Sequence, residues 1–203
     1  LLFWAPGSKS LSRKASVGLK ALVVELLLWE AAPAGRALVD ETVAWRQFPL
    51  LSGLETPFEL DRWSGSATFA IDRTYHSQGQ ACLRVDLGTA LYSGVGLNYF
   101  PRDWRNYGFL RIDLFNPGPE PIALTCRVND TAHNRRGNRD DDRFNRAYRL
   151  NPGWQTIAIS LEEIRSAPRE RPMQMEDIDN VMLFAVRLPH PRTIYIDNVR
   201  LQP

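Results

Sequence analysis

Between Arg127 and Arg149 the chain interleaves acids and bases with Asn, Phe and Tyr, a mixture suited to one kind of chemistry. Such groups hydrogen-bond hydroxyls and carboxylates while a neighbouring ring stacks on the apolar face of a sugar. Arg127, Asn129, Asp130, His133, Asp142 and Arg143 are the candidate polar contacts, with Tyr148 as a stacking surface. The same pattern fits a solvated loop whose arginines and aspartates pair with one another, each pair worth little. A second aromatic concentration runs from Asn98 to Tyr107, where Trp104 and Tyr107 are candidate ligand platforms. Buried loop anchors are the alternative there. Trp63 and Trp154 read as core or corner residues.

Catalysis has little to stand on. The chain has no Gly-x-Ser-x-Gly elbow, no His-Glu-x-x-His, no phosphate loop and no dinucleotide fingerprint. His133 with Asp130 and Asp142 could imitate an acid/base set, and a carboxylate pair could hydrolyse a glycosidic bond, but no nucleophile is recognisable. The two cysteines supply no metal framework and at most one disulfide. Strand alternation places Cys126 in the core with Leu124 and Val128, and Cys82 outside with Arg84 and Asp86, so both read as free thiols. A net charge of +2 is too small to support a nucleic-acid partner.

The elements that must position these residues are mostly strands. Beyond Leu50, short alternating segments recur between turn signals: Thr68–Asp72, Cys82–Leu87, Gly94–Phe100, Phe109–Phe115, Ile122–Asn129, Ala147–Leu150, Thr156–Leu161, Val181–Leu188 and Ile194–Leu201. Asn116-Pro117-Gly118-Pro119 and Asn151-Pro152-Gly153 are turns, proline setting one dihedral and glycine admitting positive φ. Strands at this spacing predict an all-β antiparallel sandwich or barrel. Leu110, Ile112 and Leu114, Ile122, Leu124, Cys126 and Val128, and Ile157, Ile159 and Leu161 form its core face. Short helices are expected at Glu162–Arg165 and, as a helix or turn, at Glu176–Asp179.

Residues 1–47 differ in composition and are read as a helical segment ahead of a domain spanning 48–203. Leu19, Leu22, Val23, Leu26 and Leu27 recur at helical spacing, with Pro33 and Gly35 marking an end and a second short helix over Ala37–Gln47. Basic residues precede the apolar run, so residues 15–39 are a candidate for membrane association, as a degenerate or truncated anchor or a surface amphipathic helix, with a signal-peptide remnant or a helix packed on the sandwich or a partner as alternatives. Lys20, Glu25 and Glu30 make a poor span. The absent initiator Met and the abrupt Leu1-Leu2-Phe3-Trp4 suggest a piece of something longer.

Two stretches carry a family likeness, Tyr75-His76-Ser77-Gln78-Gly79-Gln80-Ala81-Cys82-Leu83-Arg84-Val85-Asp86-Leu87 and Thr193-Ile194-Tyr195-Ile196-Asp197-Asn198-Val199-Arg200-Leu201. Together with Gly153-Trp154 and its alternating strand, they resemble the galactose-binding-like jelly-roll of many carbohydrate-binding modules and of the complex I intermediate-associated protein 30 family. Phe58-Glu59 stands where that family often has a short strand. Arg127-Val128-Asn129-Asp130, His133-Asn134 and Asp142-Arg143-Phe144-Asn145 are similar to the extracytoplasmic domain of some bacterial VanZ-like membrane proteins. The resemblance implies a jelly-roll β-sandwich that binds a carbohydrate or cell-envelope glycan outside the cytoplasm, membrane-anchored and without catalysis. Its alternatives are an assembly domain without sugar and, third, a glycoside hydrolase. It also implies a structural Ca²⁺ held between Glu59 and Asp197, with carbonyls from the Ser77–Gln80 loop completing the 6 to 8 oxygen ligands such an ion takes. Bonds from these carboxylates to nearby backbone or arginine groups are the alternative.

Overall fold

The structure, a computed structural model, describes residues 8–203. Two compact units divide between Asp40 and Glu41.

The N-terminal element is one helix, α1, Ser8–Gln47, with Pro33 inside it. The sequence reading ended a helix at Pro33 and began another at Ala37. The break does not occur because Ala31, Ala32, Ala34 and Ala37 surround the proline with the best helix former. Pro33 forfeits one intrahelical hydrogen bond, and its exposed surroundings leave the freed carbonyl to water. Leu22, Val23, Leu26, Leu27 and Trp29 are exposed. Among the described residues no helix is long and apolar enough to cross a membrane.

The second unit is an antiparallel sandwich. Its strands are β1 (Leu50–Ser52), β2 (Trp63–Gly65), β3 (Thr68–Asp72), β4 (Cys82–Leu87), β5 (Tyr92–Leu97), β6 (Phe109–Asn116), β7 (Ile122–Asp130), β8 (Phe144–Leu150), β9 (Gly153–Ser160), β10 (Ile178–Val186) and β11 (Arg192–Gln202). Two short helices, α2 (Thr131–Arg135) and α3 (Leu161–Ser166), follow β7 and β9. One sheet runs β3-β4-β11-β6-β9 with β1 also on β11, and the other runs β2-β5-β10-β7-β8. Period-two alternation turns Leu110, Ile112, Leu114, Ile122, Leu124, Cys126, Val128 and Ile159 inward, all essentially without exposure. Removing this much apolar surface from water, at about 25 cal/mol per Å², dominates the stability of the fold.

Three local expectations are corrected. Phe58-Glu59 is not a strand: Glu59–Arg62 is a 3-10 turn, because the Glu59 carboxylate gathers the N–H groups of Gly53, Leu54 and Thr56 and curls the chain around itself. Cys82 keeps its outward parity yet is fully buried, its thiol donating to the Tyr75 carbonyl in the β3–β4 connection. Trp154 is 37% exposed and stacks on Phe115 with ring centroids 5.1 Å apart, so it belongs to the outer face of the first sheet and not to the core.

Candidate functional site

The register of the five-stranded sheet assembles its outer face from alternate residues. Arg127 on β7 lies between Met182 on β10 and Asn145 on β8, and Asn129 lies opposite Asn180. Phe184 pairs with Gly94 and Thr125, Met182 with Gly96, and Gly96 with Ser64 on β2. Tyr92, 59% exposed, meets Phe184 edge-on at 5.7 Å between centroids. Gly94 is fixed by close approach, since a Cβ there would lie 2.2 Å from the Leu183 carbonyl oxygen. From Val186 to Asn180 the face runs roughly 20 Å, at ~3.4 Å per residue. One end is aromatic, the other polar.

At the polar end, Asn180 Nδ2 donates to Asn98 Oδ1 at 2.7 Å, and Asn98 Nδ2 donates to Ser64 Oγ at 2.9 Å. Asn129 Nδ2 donates to Asn134 Oδ1 at 3.4 Å. Yet Asn129 Oδ1, Asn180 Oδ1, Arg127 Nε and, beside the face, Arg143 Nε are buried with no hydrogen-bond partner. Buried polar atoms are normally paired, and of the eight unpartnered ones among the described residues these four lie on or beside one face, which marks it as a surface for a polar guest. A cavity of about 560 Å³ opens nearby at the β8 edge, lined in part by Asp140, Arg143, Asn145, Arg146, Glu163 and Arg169.

Beneath this face lies an ionic cluster that the sequence reading took for ligand contacts. Asp130 caps α2 by accepting from the His133 N–H at 2.9 Å. Arg171, in the α3–β10 connection, donates to both carboxylate oxygens of Asp130 and both of Asp142. Burial works against the Asp130 anion, but Arg171 and the N–H groups of Gln174 and His133 outweigh it and hold the carboxyl below its usual range. Asp142 is held low chiefly by its hydrogen bonds from Arg171. His133 is fully buried, its Nδ1 3.1 Å from the Asp142 carbonyl oxygen and its Nε2 3.3 Å from Arg127 Nη2. Burial, then the charges of Arg127 and Arg143, push the imidazole pKa down. The ring is therefore neutral, Nδ1–H donating to the carbonyl and Nε2 accepting from Arg127.

Of the residues expected to touch a ligand, the structure brings Arg127 and Asn129 onto one outer face and sets Arg143 beside it. Asp130, His133 and Asp142 are corrected to supports, since their polar atoms are spent inside. Asp130 and Asp142 are equally unsuited to acid/base work while locked onto Arg171. Trp104 is fully buried, with its indole N–H donating to the Pro101 carbonyl at 3.2 Å, so it is core. Tyr107 packs edge-on against Phe48 at 5.3 Å, and Tyr148 is paired across β7 with Leu124, so both turn toward the core. Tyr92, Phe184, Asn180 and Ser64 were missed. The alternation of the β10 segment already set Phe184 outward, but only register brings Tyr92 beside it.

The expected calcium ligands do not fit an ion. Glu59 accepts from Ser52 Oγ, Gly53 N–H and Leu54 N–H on one oxygen and from Thr56 on the other. Asp197 accepts from Ser77 N–H and Oγ, Gln78 N–H and Asn198 N–H, while burial pushes its carboxyl pKa up. Carboxylates ringed by N–H donors present the wrong polarity to a cation. Among the described residues no three His, Cys, Asp or Glu gather as a metal set.

An antiparallel jelly-roll with a mixed aromatic and polar sheet face is the build of a carbohydrate-binding module. The chain belongs to the carbohydrate binding domain 30 family, whose model matches residues 44–203. That family is one of non-catalytic binding domains. No curated protein matches the chain. Among solved structures, the family 11 carbohydrate-binding module of Clostridium thermocellum, in complex with a β-1,3-1,4-mixed-linked tetrasaccharide, matches at 15% identity over 75% of this chain and 94% of that one, TM-score 0.58. An exo-β-agarase matches at 17% identity and TM-score 0.62 over 76% of this chain but 24% of its own length. The CBM22-1-GH10 modules of a Clostridium thermocellum xylanase, complexed with xylohexaose, match at 11% identity and TM-score 0.51, over 76% of this chain and 28% of that one.

Proposed function

We propose that the outer face of the five-stranded sheet binds a glycan chain, with Tyr92 and Phe184 as the apolar platform and Arg127, Asn129, Asn180 and Asn145 as the polar contacts. The observation that carries this is the gathering of buried, unpartnered polar atoms on the same face as the exposed Tyr92 ring and the half-buried Phe184 ring it meets. Relatives of the same fold that were solved with oligosaccharides support the reading. Polymeric glycans of the cell envelope lie outside the cytoplasm, which supports an extracytoplasmic domain attached to a membrane protein. The exposed apolar residues of α1 support membrane association through residues 15–39 at the surface.

Affinity electrophoresis against mixed-linkage glucan, xylan, agar and envelope glycans tests the site. Phe184→Ala and Asn180→Ala should each weaken retention about tenfold, roughly 1.4 kcal/mol. Trp154→Ala, on the opposite sheet, should leave it unchanged. Loss on Trp154→Ala with none on the other two would move the site to the six-stranded sheet.

A further inference from the structure

Arg127 is a cation fixed in place without being neutralised. Its one hydrogen-bond partner among the described residues is the neutral His133 ring, reached through Nη2 at 3.3 Å, and no carboxylate lies within ion-pair distance of it. The contrast is with Arg171, which has two carboxylates, and with the exposed Arg146, which has Glu163 at 2.7 Å. A neutral histidine orients a guanidinium while leaving its charge for something else.

Arg127 is half-buried, and Arg143 stands close enough for the two charges to oppose each other, with the Asp140 charge offsetting part of that. The ion-pair partner of Arg143 is Asp140, and the asymmetry of that pair matters. The arginine side chain is 16% exposed and the aspartate 89%, so the cation is built in while its anion hangs in solvent and is readily replaced. Both arginines keep a buried Nε–H without an acceptor. Burying two like charges side by side is costly unless an anion joins them.

The orphan donors and orphan acceptors are also sorted in space. Asn129 Oδ1 and Asn180 Oδ1, paired across β7 and β10, await donors, and two residues back along β7, about 7 Å away, Arg127 awaits an acceptor. A sugar ring bearing both hydroxyls and an anionic group answers both ends at once.

Resting on the proposed glycan face, the geometry points to an acidic glycan as its ligand: we propose that Arg127 and Arg143 clamp a carboxylate or sulfate on a sugar whose hydroxyls donate to Asn129 and Asn180. Asp140 holds the place of that anion when no ligand is bound. Arginine is suited to the task because its planar fork meets two oxygens of such a group together.

The test uses the full chain in titration calorimetry at low salt with three probes: an oligogalacturonate, its methyl ester, and a sulfated galactan oligosaccharide. The free acid or the sulfated probe should bind at least tenfold more tightly than the neutral ester, with the advantage shrinking as salt rises. Which of the two anionic probes binds more tightly identifies the group. Arg127→Gln should bring the ratio of acid to ester close to one. Asp140→Asn, an exposed change that leaves the interior alone, should tighten binding of the anionic probe two- to fivefold. Equal binding of ester, acid and sulfate, or weakening by Asp140→Asn, would overturn the acidic preference while leaving a glycan site in place. Binding of no probe and of no neutral glucan or xylan would overturn both.

Discussion

Arg171 Nη2 lies 2.8 Å from Asp130 Oδ1 and 3.0 Å from Asp142 Oδ2, so one guanidinium joins the end of β7 to the turn before β8. Both carboxylates are buried, and neither has another basic partner as near. Replacing Arg171 by Met should leave two buried carboxylates uncompensated and cost about 3 to 5 kcal/mol. Urea unfolding of wild type and variant measures it, and a loss below about 1 kcal/mol would contradict the arrangement.

The same cluster sets an acid limit. Asp130 and Asp142 titrate below their unfolded value of about 3.9, so their contribution is present above that pH and is lost as pH falls through the depressed folded values. Stability followed by thermal melts should therefore drop steeply below about pH 4. The drop should be shallower in Arg171→Met, because both carboxyls then titrate nearer their unfolded value.

Trp104 fills the core beside Phe100, and its backbone N–H donates to the Met175 carbonyl at 2.8 Å. Trp104→Ala should cost about 3 to 5 kcal/mol. Trp104→Phe, which keeps most of the volume, should retain glycan binding, whereas a ligand platform would lose it.

Both thiols are inert by position. Burial, followed by the Asp197 and Asp72 charges, pushes the Cys82 pKa up to about 12, and burial alone takes Cys126 to about 12. A thiol reagent at pH 8 should find neither in the folded protein and both in denaturant.

Chelation should leave the melting temperature unchanged, and added calcium should not raise it, since Glu59 and Asp197 already accept hydrogen bonds. Glu59→Gln should destabilise by roughly 1 to 3 kcal/mol by leaving backbone N–H groups poorly paired. A calcium-dependent melting shift above a few degrees would show that the carboxylates rearrange to take an ion.

Alternation made much of the sandwich readable, because Leu110, Ile112 and Leu114 and the β7 set can be assigned to one side from spacing alone. It also placed Arg127 and Asn129 outward. Three-residue strands such as β1 and β2 were not readable, being too short to show a period. Asp130, His133 and Asp142 looked like a binding set because nothing local reveals their partner: Arg171 lies far along the chain in an irregular connection, and only folding brings it there. Tyr92 and Phe184 were hidden for a related reason, since register across strands, not spacing within one, makes them neighbours.

Because one arginine grips the 131–143 connection at both of its ends, its outward residues are left with exposed pairs such as Arg136 with Glu170 and Arg139 with Asp141, which contribute little to holding it in shape. They can drift in evolution toward new sugars while the hinge beneath stays locked, which makes this edge a natural place for ligand preference to diversify.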